Sequence, residues 1–408
     1  MFKNVGNELN YKVVDNYLEQ WLENCDIETM LLEDQMDALF LYATLLHDKK
    51  NIDCSKLILI VERLLEKMEE IVRKIRRGMF GGVGQIAYCI NEIYENTGEL
   101  KRLKISLNNY LLEQYLQAAQ YLKGYPVSFE MYDVISGLSG VLYYLLEQKE
   151  IIEEETPRIK ELLNVIVNLA SDYDYKGYMI PRFYIERDQQ YLAQRREMPD
   201  GHLNFGMAHG MIGPLVLLAK ARHMEIRCKN LDEAIAKIYD IYMKFEYEKN
   251  DILKYPRKLS AEAFAENRRE DLSINSGWCY GNAGIVRGLM KVSRYMDWET
   301  EYYKYEQALL KIINQPLNKY NFSDINICHG YGSIINIQCA AYTDKRNKDF
   351  LINLQRNLKL EINIMEERLL KNIKLNSLEI LSGYGGAVLS VLHGITGKSL
   401  LPKWMMID

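Results

Sequence analysis

Six times along the chain, a run of apolar residues with helical character is entered through a pair of glycines or a close equivalent. The runs are "GGVGQIAYCI" from Gly81, "SGLSGVLYYLL" from Ser136, "HGMIGPLVLL" from His209, "YGNAGIVRGLM" from Tyr280, "HGYGSIINIQC" from His329 and "SGYGGAVLSVL" from Ser382. Aligned on Gly81, Gly137, Gly210, Gly281, Gly330 and Gly383, the units recur at intervals of 49 to 73 residues. The shortest interval fits two helices and their turns, so each unit reads as a helical hairpin. Glycine at each helix start is expected to serve a tight turn, with φ values other residues avoid, and to let that helix end approach its neighbours closely.

Six or seven such hairpins predict an all-α fold. Closed into a ring, they form an α/α toroid with the glycine-led helices inside, amphipathic helices outside and the inner N-termini around a common pocket. An open solenoid would use the same hairpins, but the number of units favours closure. Helical periodicity also predicts helices over residues 36–50 and 54–75. We expect one toroid domain over residues 1–408. Residues 172–205, rich in turn formers and poor in helical period, read as an inserted loop or small strand-bearing subdomain, and residues 246–277 form a second irregular stretch.

Composition narrows the function classes. With 48% apolar residues a large core is possible, and the formal net charge of -5, with basic residues scattered instead of clustered, argues against nucleic acid as a partner. The N-terminus lacks the apolar stretch of a signal peptide and no later run approaches the roughly 18–20 apolar residues of a membrane helix, so a cytoplasmic protein is expected. Seven cysteines, an odd number spread over a long chain, do not suit a disulfide framework, which leaves metal binding or catalysis open to some of them.

Three glycine turns carry reactive side chains: His209 in "GMAHGMIG", Cys279 in "GWCYGNAG", and Cys328 with His329 in "ICHGYGS". His209, Tyr280 and His329 each stand immediately before an aligned glycine, and Cys279 and Cys328 one residue earlier, so a ring would bring all five to one rim. Two thiolates and one imidazole make a three-ligand tetrahedral site with a fourth position for substrate, the arrangement of catalytic zinc. The metal would lower the pKa of a bound substrate thiol so that it ionises near neutral pH, and because two thiolates already offset the metal's charge, that thiolate would stay nucleophilic.

Plainer readings compete at each position. Short polar residues also cap helix ends. His209 by itself could be a packed or capping histidine, and Asp133, four residues before Gly137, could be a cap or a carboxylate that orients His209. Cys89 and Cys339 read as core, and Cys25, Cys54 and Cys228 as incidental. His47 and His393 end apolar helices, where a histidine interacts well with the helix dipole; His223 reads as surface and His202 lies in the insert.

Together "YDVISGLSGVL", "GMAHGMIG", "WCYGNAG" and "CHGYGS", in this order, resemble the lanthionine cyclase family, LanC, over most of the chain. The resemblance implies an α/α toroid with zinc held by Cys279, Cys328 and His329, and with His209 and Asp133 at further active-site positions. It implies addition of peptide cysteine thiols to dehydroalanine or dehydrobutyrine, giving lanthionine or methyllanthionine rings, with His209 protonating the α-carbon. A dehydrated precursor peptide, a dehydratase and an exporter are the implied partners, the last two by a complex that could hold the chain at a membrane surface. One position departs from the pattern: Asn275 stands where the family often has arginine, and neither Arg268 nor Arg269 matches that place. Alternatives are an enzyme that adds a small thiol such as glutathione, another zinc-dependent thiol alkylation such as prenyl transfer, and a peptide-binding scaffold with structural zinc.

Overall fold

The structure, a computed structural model, describes residues 14, 17, 18, 21, 26–47, 54–74, 77–121, 126–270, 275–370 and 378–408. Cys25 and part of the second irregular stretch lie outside these residues. In chain order the helices are α1 (Leu32–His47), α2 (Cys54–Glu66), α3 (Met68–Lys74), α4 (Val83–Thr97), α5 (Lys101–Tyr121), α6 (Leu138–Leu145), α7 (Lys149–Leu169), α8 (Leu192–Glu197) and α9 (Ile212–His223). They continue with α10 (Leu231–Phe245), α11 (Ala261–Ala265), α12 (Asn282–Tyr295), α13 (Glu299–Asn314), α14 (Tyr331–Lys345), α15 (Leu354–Leu370), α16 (Tyr384–Thr396) and α17 (Leu401–Trp404). The strands are β1 (Asp172–Tyr175), β2 (Tyr178–Pro181), β3 (Ile185–Glu186), β4 (Gly201–Asn204), β5 (Tyr247–Lys249), β6 (Ile252–Lys254) and β7 (Lys258–Leu259). The helix expected over 54–75 is interrupted between α2 and α3.

The chain divides into two compact units, residues 108–312 and residues 1–107 with 313–408. In the first, the glycine-led α6, α9 and α12 pack side by side, with α7 and α10 behind them. Every residue of α12 from Asn282 to Ser293 is buried, as are those of α9 from Ile212 to Ala221. Burial on all sides means these helices are surrounded by others, polar residues such as Arg287 and Lys291 included. By contrast, α10 buries Leu231, Ala234, Ile235, Ile238, Ile241, Tyr242 and Phe245, a single stripe at three- and four-residue spacing.

In the second unit α14 packs on α16, α16 on α1 and α1 on α4, while α15 and α2 lie outside. Thus α1 takes an inner place although no glycine pair precedes it, and it is buried from Gln35 almost continuously to Leu45.

The aligned glycines serve close approach more than unusual φ. Gly137, Gly281, Gly330 and Gly383 stand just before α6, α12, α14 and α16 with extended φ between -86° and -115°. Of the six, only Gly81 has a positive φ, +67°, and the residue that opens α4 is its neighbour Gly82. A Cβ at Gly281 would lie 2.1 Å from the Gly277 nitrogen, and one at Gly137 2.3 Å from the Asp133 nitrogen. The loop folds back on itself and leaves no room for a side chain.

The stretch 172–205 carries β1–β4 and α8. β1 and β2 form an antiparallel hairpin whose turn residues Lys176 and Gly177 both have positive φ, the geometry of the two-residue turns that match strand twist. β4 lies between β3 and β7, pairing His202 with Ile185 and Leu203 with Leu259, so both irregular stretches contribute to one three-stranded sheet. Among the described residues, no helix is long and apolar enough to cross a membrane.

Candidate active site

Asp133 lies in the tight loop before α6 and is fully buried. Its Oδ1 accepts the Ser136 N–H at 2.8 Å, holding the turn, and its Oδ2 lies 2.5 Å from His209 Nδ1. Asp133 is therefore not the helix cap, a place Gly137 takes; it closes the turn before α6 with one oxygen and meets His209 with the other. His209, in the loop before α9, keeps 17% of its side chain exposed. The two loops are tied by Val134 N–H to the Ala208 carbonyl at 3.1 Å and by the Tyr132 hydroxyl to the His209 carbonyl at 3.0 Å. With the carboxylate on Nδ1, exchange of a proton with another molecule falls to Nε2.

Aromatic rings wall His209. Phe129, Tyr191 and Tyr280 have ring centroids 5.1, 5.6 and 6.2 Å away, and Phe129 stacks on Tyr191 at 5.2 Å. Gln194 Nε2 donates to the Tyr280 hydroxyl at 3.2 Å, and Asn204 Nδ2 reaches the same oxygen at 3.5 Å. Tyr191 and Gln194 belong to the insert, and no motif marks either. Tyr280 was visible only through its register with His209 and His329.

His202, on β4, is completely buried; burial, with Lys258 and His209 nearby, pushes its imidazole down to about 3, so it is neutral. Its Nδ1 meets Gln190 Nε2 at 2.6 Å. It belongs to the frame of the site.

Cys279, Cys328 and His329 each bring one ligand atom within 4.8 Å of the others, a group that could hold a metal ion. Cys279 is buried, Cys328 half-buried and His329 exposed. On a tetrahedral zinc, sulfur at about 2.3 Å and nitrogen at about 2.1 Å would stand roughly 3.5–3.8 Å apart, so modest side-chain rotation closes this set. Soft sulfur with imidazole suits zinc by donor chemistry.

The loops holding His209 and Cys279 share one kind of turn. Asn204 Oδ1 accepts the Gly206 N–H at 2.9 Å, and Asn275 Oδ1 accepts the Gly277 N–H at 3.2 Å. Asn275 thus takes part in the same kind of turn two residues before a glycine. Arg268 is engaged with Glu262, Glu266 and Glu270, and Arg269 with the carbonyls of Phe245 and Glu246.

The remaining candidates are structural. Cys89 and Cys339 are buried, and burial raises both thiols; Cys54 is exposed and Cys228 half-buried. His47 closes α1 beside Glu92, and His223 is exposed at the end of α9. His393 is structural as its place at a helix end suggested, but through burial: burial pushes it down to about 3, and its Nδ1 bonds Asn336 Oδ1 at 2.7 Å as a neutral ring.

Residues 38–406 match the model of the lanthionine synthetase C-like proteins, and the chain belongs to that family. It is 29% identical over 410 residues to the nisin biosynthesis protein NisC of Lactococcus lactis subsp. lactis, spanning 95% of this chain and 90% of that one. Its fold is that of a solved nisin cyclase, with a TM-score of 0.76 at 24% identity and 97% of each chain covered. This likeness shows the all-α toroid fold and decides between ring and open solenoid.

Proposed function

We propose that this protein is a zinc-dependent lanthionine cyclase. It would close thioether rings in a dehydrated precursor peptide by adding cysteine thiols to dehydroalanine or dehydrobutyrine. The observation that carries the reading is the Cys279, Cys328 and His329 donor group. Membership of the family and the likeness to the nisin biosynthesis protein support it.

Cys279, Cys328 and His329 would hold the metal, which when bound lowers the pKa of the substrate thiol while leaving its sulfur nucleophilic. The substrate sulfur forms its bond to the β-carbon of the dehydro residue, and the electrons of the double bond move into an enolate. His209, held at Nδ1 by Asp133, then delivers a proton from Nε2 to the α-carbon, which completes the saturated thioether. Asp133 holds the ring in orientation through its contact with Nδ1. Phe129 and Tyr191 limit water at the transfer, and the face from which His209 acts sets the configuration of the new centre.

Thiolate ligands favour a reducing compartment, so we place the reaction in the cytoplasm, beside a dehydratase that supplies the substrate and an exporter that removes the product. Incubation of the zinc-loaded protein with dehydrated precursor peptide tests the proposal: loss of free thiol at unchanged peptide mass, without any added thiol, is expected. Addition only when glutathione is supplied would favour the small-thiol reading, and no reaction would refute the cyclase assignment.

A further inference from the structure

In the segment that bears Cys328 and His329, Ile325 and Ile327 are buried, while His329 is exposed and Cys328 half-buried. The turn that presents His329 is set through the backbone and through Asn326, which is 2% exposed. Asn326 Oδ1 accepts the His329 N–H at 2.9 Å, and the Asn326 carbonyl accepts the Gly330 N–H at 3.1 Å. Around this turn, the Tyr331 N–H reaches the Asp324 carbonyl and the Gly332 N–H the Ile325 carbonyl, both at 3.1 Å. A Cβ at Gly330 would stand 2.6 Å from the Asn326 nitrogen.

Asn326 occupies the same place before its aligned glycine, Gly330, as Asp133 does before Gly137. The hydrogen bond is the same too, since Asp133 Oδ1 accepts the N–H of the residue three positions on. The repeat thus uses one turn twice, with different chemistry at its side chain. At 133 a carboxylate leaves its second oxygen for His209. At 326 an amide oxygen accepts the backbone N–H of His329 and has no second oxygen to offer.

We infer that Asn326 is the positioning residue of the metal-binding pair: by holding the His329 backbone it aims the imidazole toward the ion shared with Cys279 and Cys328. This rests on the metal assignment proposed above. Outer partners of ligating residues commonly set affinity by about 10- to 100-fold.

Titration of the full chain with zinc, and with cobalt(II) for its ligand-field absorption, tests the inference without recourse to activity. Asn326→Ala should weaken zinc binding by about 10- to 100-fold and alter the cobalt spectrum, whereas Asn326→Asp, which keeps the acceptor, should stay within about threefold of wild type. Asn326→Gln keeps the amide but displaces it, and should resemble Asn326→Ala; it serves equally if the alanine variant does not fold. Asn336→Ala removes another buried asparagine, one that contacts Ser390 and His393, and should leave metal affinity unchanged. Wild-type affinity in Asn326→Ala and Asn326→Gln, or an equal loss in Asn336→Ala, would overturn the positioning role. A wild-type protein that binds neither metal would instead overturn the metal assignment itself.

Discussion

Asp133 and His209 are joined through one carboxylate oxygen while the other closes the turn that carries the carboxylate. The pair is therefore built into the backbone on one side: moving the acid means unmaking the turn before α6. This coupling separates the structural role of residue 133 from its chemical role, because different substitutions remove different oxygens.

Asp133→Asn should keep the turn and lose the chemistry. The amide oxygen can still accept the Ser136 N–H, but its NH2 group would face His209 Nδ1 and favour the tautomer with that nitrogen unprotonated. Cyclisation should fall about 10²- to 10⁴-fold with little change in melting temperature. Asp133→Ala removes both oxygens and should also destabilise the fold by about 1–3 kcal/mol, since the buried Ser136 N–H loses its acceptor. Rates on dehydrated peptide and thermal unfolding, measured for both variants, check this.

His209→Ala should leave metal content at the wild-type level while slowing ring closure about 10²- to 10⁴-fold, because the histidine lies outside the donor group. A second readout is stereochemical. If proton delivery from His209 sets the α-carbon configuration, residual product should be a mixture of diastereomers, resolved by chiral analysis of the hydrolysed thioether. A single diastereomer from this variant would assign the proton transfer to another group.

The inner helices were legible because burial on all sides leaves them rich in apolar residues, and Gly137, Gly210, Gly281 and Gly330 mark places with no room for a Cβ. The φ argument for those glycines was the weaker half: Gly137, Gly281, Gly330 and Gly383 are extended. Helix α1 escaped the repeat because its entry makes no glycine-dependent turn, although its buried face is as continuous as the others. The register of Cys279, Cys328 and His329 could be read from spacing alone. The packing of Tyr191 and Gln194 against His209 and Tyr280 could not, since it depends on how a strand-bearing insert folds over a loop of distant sequence. His393, at a helix end in sequence, is buried in space, so its structural role is packing and a hydrogen bond and not a charge on the helix dipole.

Metal removal should abolish activity without unfolding the protein. The inner helices are buried by one another, and the donor residues sit in loops at their ends. Wild-type protein should carry about one zinc per chain and Cys328→Ala far less, with far-UV circular dichroism alike in both. Loss of helical signal in Cys279→Ala or after chelation would favour a structural ion, because structural zinc contributes folding free energy directly.

Asp37, on α1, supplies a pH dependence remote from the reaction. Its Oδ1 accepts from Gln85 Nε2 at 2.9 Å and its Oδ2 from the Ile380 N–H at 3.3 Å, while Gln85 Oε1 accepts the Gly81 N–H at 2.8 Å. The carboxyl thus links the loops before α4 and α16. Burial pushes it up to about 7, against the two hydrogen bonds and with help from Glu379 and Asp34. A folded-state value above the unfolded one means that the protonated form stabilises the fold below about pH 4, and that this contribution is lost as pH rises toward 7. Asp37→Asn cannot ionise, so its stability relative to wild type should increase between pH 4 and 7 and level off above, by on the order of a few kcal/mol. Urea unfolding of both proteins at pH 4.5 and pH 8 measures the difference. A gap that is the same at both values would mean that Asp37 titrates where an exposed aspartate does, and that its two hydrogen bonds offset its burial.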